Sequence, residues 1–576
     1  MSKTLVLALT ASLVLACCGK DAAEQQADVA GSQQPWAEFA ATVIDDYYAR
    51  NPETAVDAGL HQYDGQMSDL SMAAVDEYAA WLDAVLAEAA TYADLEGIEA
   101  FERDYLSTAL QGELFWIRES GFLTSNPLAY AGAIGISVYV DREYAPLDQR
   151  LLAYTQYMEQ VPAMLEQMKK NLQPPLPAPY VEMGHRVFSG LVEYLSTTVP
   201  GIFSPVADEQ LQRRFKAAND AAVEAIQQSV EWLDRLKASA TDEFALGEET
   251  FLKMLSATQG VDISLEELTA AGQRNLDANL DMLFEACAEF APGESTEACV
   301  AKVSGNKPEG GAVAGARAQL PMLKEFVVDN NIASIPGTED ALVDEAPPHR
   351  RFNFAYINIP GPFETGLPST YYIAPPDPEW SEEDQLAYVP GEADLLAVSV
   401  HEVWPGHFLQ FLHSNRTENN VGQHFGTYTF SEGWAHYTEQ MMVDAGLGNG
   451  DPEVRIGQLL NALLRNVRYM SAIGLHTGGM TVEESQQMFE EKAFQDFGNA
   501  SQQAYRGTYD PGYLNYTLGK LMINKLREDW TTGRGGREAW GRFHDQFLSY
   551  GVPPIPLVRE QMLGDNYDGD EGLLPD

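Results

Sequence analysis

The stretch 395–407, Leu395-Leu396-Ala397-Val398-Ser399-Val400-His401-Glu402-Val403-Trp404-Pro405-Gly406-His407, joins an apolar run to two of the chain's ten histidines. A His-Glu pair alone carries little weight, since about one is expected by chance in so acidic a chain. The second histidine changes the reading. In the H-E-x-x-H word, histidines at i and i+4 lie about 40° apart on one helix face and both reach a zinc ion, while the intervening glutamate faces the attacking water. Here the spacing is i+6, which on an unbroken helix separates the side chains by about 120°. Pro405 offers a way out. It has no amide hydrogen, and its ring collides with the carbonyl of His401, so the helix should break near Val403-Trp404. Gly406 is then expected to take backbone angles closed to other residues and to swing His407 back toward His401.

Catalytic zinc keeps three protein ligands and one open position, so a third carboxylate or histidine is needed. The next dense word is Phe430-Ser431-Glu432-Gly433-Trp434-Ala435-His436-Tyr437-Thr438-Glu439. Glu432 follows His407 by enough chain for one helix to finish and a second to begin. Glu432, His436 and Glu439 share a helical face, so that one side chain can bind the ion while another orients a ligand. Taken alone, the word reads as an amphipathic helix with a solvated acidic face, and the neighbouring His401–His407 word reverses that reading.

Around these words the pattern is mostly helical. Segments 73–90, 206–239 and 264–286 space their apolar residues by three and four, as amphipathic helices do. The Gly- and Ala-rich stretch 305–320 reads as a loop at a lobe boundary, with an ordered flap as the alternative. Phe352 to Ile359 and Ser369 to Ile373 are aromatic and β-branched, bracketed by prolines, and read as short strands. Helical patterning returns at Glu392 and holds to about Leu563, and the acidic tail 565–576 reads as a frayed end. The organisation expected is a leader over 1–17, a tether over 18–35, a helical N-terminal lobe over 36–340 and a catalytic lobe over 341–576.

The chain has 576 residues, with 36 basic against 85 acidic side chains and a formal net charge of −49. Such a field repels phosphate backbones and acidic head groups, so neither a nucleic acid nor an electrostatic membrane patch is expected as partner. Lys3 precedes the apolar run Leu5 to Ala16, which is too short to span a bilayer and ends in Cys17-Cys18-Gly19, like a secretory leader. Val14-Leu15-Ala16-Cys17 resembles a bacterial lipobox, with Cys18 as the second choice. Membrane contact is therefore expected only through an N-terminal lipid at Cys17 or Cys18, in the cell envelope, facing the periplasm or on the outer membrane. The alternative is a plain secreted leader. Cys287 and Cys299, twelve positions apart, are candidates for a disulfide in that oxidising compartment, with two free thiols as the alternative.

On His401 to Gln410 (HEVWPGHFLQ), Ser431 to Glu439 (SEGWAHYTE), Pro511-Gly512 with Tyr516 and Gly519, and the N-terminal Pro52, Gly59, His61, Asp64 and Asp69, the chain resembles the bacterial domain-of-unknown-function 885 family. Its members are thought of as zincin-like metallohydrolases, often lipoproteins. Glu432-Gly433-Trp434-Ala435 is also similar to the Glu-Gly-aromatic-Ala word of the aminopeptidase N family, whose glutamate is the third zinc ligand. The wider likeness is to helical peptidases such as the thimet-type oligopeptidases and carboxypeptidase Taq. The resemblance implies a mainly α (α+β), zincin-like metallopeptidase fold, with a small β element beside the active-site helix. In one place the chain departs from the family's usual Arg, Asp and Gly-x-His. It has Arg468 and Gly474-Leu475-His476, but Ala472 stands where the acid is expected.

These readings converge on a zinc-dependent hydrolase, with a peptide or small amide as substrate. One Zn²⁺ is expected on His401, His407 and Glu432, although manganese and cobalt suit the same donors. The ion would lower the pKa of water from about 15.7 toward about 7, and Glu402 would act as general base. Tyr516 is the first choice for stabilising the oxyanion and His476 the second, with a packing role open for each. Tyr509, Tyr513 and His436 are further candidates. The alternatives are a hydrolase of another amide or ester, and a non-enzymatic surface lipoprotein that keeps the metal for stability. Oligomeric state and the scissile bond are not readable.

Overall fold

Helices begin where a side chain can cap them. Ser71, Asp208 and Ser264 each accept from backbone N–H groups in the first turn of the helix that follows, replacing bonds that helix geometry leaves unmade. The computed structural model describes residues 34–576 apart from 348, 349, 352, 353, 365, 377, 379, 568, 570, 571 and 576. The three amphipathic segments form Met72–Ala89, Glu209–Leu236 and Leu265–Phe290. The leader, Cys17, Cys18 and the tether up to residue 33 lie outside the described residues, as does the expected strand start at Phe352.

The protein is mainly α, with one three-stranded sheet among the described residues. The order is β1 (Leu342–Glu345), β3 (Thr370–Ile373), β2 (Ala355–Asn358), with β1 parallel and β2 antiparallel to β3. β2 and β3 fall within the two expected segments. β1, the four residues LVDE, has too little hydrophobic alternation to stand out. The sheet places β2 at an edge, beside the helix that ends at Glu402.

Two further expectations are corrected. The stretch 305–320 is a loop only at its start, because Ala312–Asp329 is a helix. Its alanines favour helix, and its Gly315 makes room for a neighbour: a Cβ there would lie 2.6 Å from Pro308 and 2.9 Å from Leu395. The tail does not simply fray. Leu573 and Leu574 are buried in the main core, and the Pro575 carbonyl accepts from Arg274.

Packing does not break at the expected lobe boundary near residue 340. Helices from Phe251 to Val327 share one continuous core with β3 and the C-terminal helices through Leu563. Asn279 on Leu265–Phe290 donates to Asn466 on Pro452–Thr477 at 2.6 Å, locking the long helices together. Two other cores lie N-terminal, one over Val56 to Leu233 and one joining Trp36 to Leu110 with Val421. Cys287 and Cys299 form a disulfide.

A close helix crossing sets the depth of the core around the second motif. Gly433 on Tyr428–Asp444 faces Gly519 on Asn515–Thr531; a Cβ on Gly519 would lie 2.0 Å from the Thr429 carbonyl oxygen and 2.7 Å from Gly433. Gly519→Ala must therefore push the helices apart. We expect it to cost about 1–3 kcal/mol, read as a lower denaturant midpoint at unchanged slope. A midpoint equal to wild type would contradict the crossing.

Candidate metal centre

The helix Glu392–Glu402 stops where Pro405 requires it to stop. Val403 N–H still reaches the Ser399 carbonyl at 3.1 Å, the Gly406 N–H turns back to Val400 at 3.0 Å, and a new helix starts at His407. Gly406 takes φ −71° and ψ −133°, in neither the helical nor the extended region, as expected of the glycine. The reversal also leaves no room for a side chain, since a Cβ would sit 1.7 Å from the His401 carbonyl oxygen and 2.5 Å from that of Val400. Trp434 fastens the turn by donating from Nε1 to the Pro405 carbonyl at 2.9 Å. The two imidazoles consequently meet edge to face, with centroids 4.9 Å apart.

Glu432 completes the group. Its Oε2 lies 3.4 Å from His401 Nε2 and 3.2 Å from His407 Nε2, and all three donors fall within 4.8 Å of one another. That oxygen is buried and makes no hydrogen bond with adequate geometry. Two ligands at about 2.1 Å from one tetrahedral ion stand about 3.4 Å apart. The donor spacing, the nitrogen and oxygen chemistry and the orphaned oxygen all fit a divalent ion such as zinc.

Behind the three donors is a supporting layer. His401 Nδ1 is 2.7 Å from Glu439 Oε1, and Arg465 reaches the same oxygen at 3.1 Å. Such a carboxylate fixes the ring's tautomer and orientation, so that Nε2 faces the centre. Burial would raise the Glu439 carboxyl, but Arg465, His436 and His401 hold it well below the usual range. Burial and Arg465 push the His401 imidazole down, while Glu432 and Glu439 outweigh them and lift it to about 9. Burial likewise opposes ionisation of Glu432, and the two histidines more than compensate.

Glu402 lies at the end of the same helix, against the sheet edge. Its Oε2 accepts from the Ile357 N–H of β2 at 3.1 Å. That N–H therefore points away from β3, and so does the free edge of β2. Glu402 and β2 line a cavity of about 3940 Å³ together with His401, His407, Glu432 and Tyr516. The Tyr516 ring stacks near His401 at 6.3 Å and 17°. Burial and Glu432 raise its phenol above the ordinary range, against the lowering influence of three arginines, which keeps it a donor at neutral pH.

The other candidate donors divide. Tyr509 lines the cavity. His476 does not join the site, which corrects its assignment. Its Nδ1 accepts from the Leu246 N–H at 3.3 Å, its Nε2 donates to the Gly507 carbonyl at 2.8 Å, and its ring stacks on Phe251. Burial pushes it down to about 4, leaving a neutral packing histidine. Tyr513 is fully buried with its hydroxyl on Ser471, and His436 is buried with Nδ1 on Glu439 and a pKa pushed by burial down to about 3. Sequence reasoning missed Arg465 and Arg506. The available signal was Arg465 and Arg468, one turn apart among the apolar residues Leu463, Leu464, Val467 and Tyr469 of one helix.

The family model described as "Bacterial protein of unknown function (DUF885)" matches residues 52–562, and the chain belongs to that family. Among solved structures it is similar to a candidate lipoprotein of unknown function from Shewanella oneidensis, with TM-score 0.76 and 24% identity over 92% of this chain and 100% of that one. It is similar also to a candidate lipoprotein from Colwellia psychrerythraea, with TM-score 0.76 and 17% identity over 92% and 99%. These likenesses show a shared fold. No curated protein matches the chain.

The supporting layer generates a test. Glu439→Gln keeps the shape but weakens the hold on His401, and we expect Zn²⁺ affinity to fall about 10- to 100-fold in a chelator competition titration. Unchanged affinity would remove Glu439 from the site.

Proposed function

We propose that the protein is a metal-dependent hydrolase of amide bonds, with peptides as the best-supported substrates. The observation that carries this reading is the convergence of His401, His407 and Glu432 on one point of the cavity wall with Glu402 beside them. A Zn²⁺ held by those three residues would supply Lewis-acid polarisation of a carbonyl and a water with pKa lowered to about 7.

The remaining steps fall to the protein's own groups. Glu402, steadied by the Ile357 N–H, takes the proton from the attacking water and later delivers it to the leaving nitrogen, so that water's two halves end on the new acid and the new amine. The Tyr516 hydroxyl donates to the carbonyl oxygen as negative charge develops there, a contribution of about 3–4 kcal/mol for one such donor. The outward edge of β2 can hold an extended substrate by backbone hydrogen bonds. The cavity, about 3940 Å³, exceeds the roughly 300–1,000 Å³ usual for small-molecule pockets, which favours a peptide over a compact amide.

Placement in the cell envelope, through a lipid on Cys17 or Cys18, draws support from the leader and from the two structural neighbours described as candidate lipoproteins. No helix of the described residues is long and apolar enough to cross a membrane.

Glu402→Gln is expected to retain zinc in elemental analysis and to lose at least 10²-fold in hydrolysis of a peptide library, while Glu432→Ala loses both. Wild-type turnover in Glu402→Gln would exclude the general-base role.

A further inference from the structure

Three arginines gather around Tyr516 in a chain that carries far more acid than base. The guanidinium carbons of Arg465, Arg468 and Arg506 lie 5.8, 5.0 and 5.9 Å from the ring centroid, and all three residues line the cavity. Two of them are neutralised within the protein. Arg465 pairs with Glu439 at 3.1 Å, and Arg506 with Asp510 at 2.9 Å.

Arg468 is different. Its Nε donates to the neutral Oε1 of Gln503 at 2.8 Å, and among the described residues no carboxylate comes within 4.0 Å of it. The side chain is nonetheless buried, with a relative exposure of 8%. A buried cation without a counter-ion is costly, and the charge invites an anion from outside. The guanidinium fork matches a carboxylate in shape and charge. Ala472, one turn further along the same helix, is too short and apolar to supply one.

Position gives the anion its meaning. The Tyr516 ring lies 5.0 Å from the Arg468 guanidinium and 6.3 Å from the His401 ring, which bounds the separation of those two groups at about 11 Å. An extended peptide advances about 3.3–3.6 Å per residue, so a carboxylate on Arg468 sets a bond within about three residues of the chain end beside Glu402. We infer that Arg468 anchors the free carboxylate of the substrate, making the protein act near the C-terminus of peptides or on N-acyl amino acids, which present the same group. The bond cleaved rests on the hydrolase reading above; the capture of the carboxylate does not.

The test separates the two. Full-length mature protein carrying Glu402→Gln is titrated calorimetrically with tetra-alanine as the free acid, tetra-alanine as the C-terminal amide, and N-acetylalanine, each with Zn²⁺ and after chelation. One charge-assisted bond predicts that the acid binds about 10- to 100-fold tighter than the amide in both states. Adding Arg468→Gln should bring the ratio below about threefold, and Arg468→Lys should keep part of it, with thermal melting confirming that each variant is folded. Tighter binding of N-acetylalanine than of the tetrapeptide assigns the carboxylate to small acyl amino acids, and the reverse assigns it to peptides. Equal binding of acid and amide, binding of neither, or a preference that survives Arg468→Gln overturns the inference. An acid preference in a wild-type protein that hydrolyses nothing upholds the anchor and sinks the hydrolase reading. Equal hydrolysis of amidated and free peptides does the opposite.

Discussion

A helix that must end at Glu402 governs the candidate centre. Were the helix to continue, His407 would face about 120° away from His401. Pro405 forbids continuation, and Gly406 allows the chain to fold back so tightly that no Cβ would fit beside the His401 carbonyl. The reversal is then held from outside, by the Trp434 indole on the Pro405 carbonyl. Because Trp434 lies two residues from Glu432, the bond that secures the turn also brings the third donor into place.

The same economy appears in the surroundings. The Gly433–Gly519 crossing draws the helix bearing Tyr516 against the helix bearing Glu432, so the phenol and the carboxylate reach one cavity wall. Glu439, one face-repeat beyond Glu432, is spent on His401 Nδ1 and Arg465. Charge along this wall is set in pairs: Glu439 with Arg465, Glu432 with the two histidines, Asp510 with Arg506. Arg468, also at the cavity wall, has no such carboxylate among the described residues, and a ligand can make up the difference.

Much of this was legible in the residues. The helix break, the return of His407 and the position of Glu432 follow from proline sterics and from helical periodicity, both local rules. The two β segments were legible for the same reason. Where non-local packing decides, the sequence was less informative. Leu573 and Leu574 look like an acidic tail until a core is present to receive them, and the 312–320 alanines look like a loop until Leu395 needs a close neighbour. His476 was a donor candidate on the family's Gly-x-His pattern, yet its partners are the Leu246 and Gly507 backbones, remote in sequence and invisible to periodicity. Gly406 was singled out for a torsional reason, and the structure adds a contact reason that only the folded turn reveals.

Anomalous diffraction at the zinc edge, from crystals grown with one equivalent of Zn²⁺, addresses the central claim most directly. We expect a single strong peak about 2.0–2.2 Å from His401 Nε2, His407 Nε2 and a Glu432 oxygen. No peak there, or one held by other side chains while these three stay apart, would contradict it.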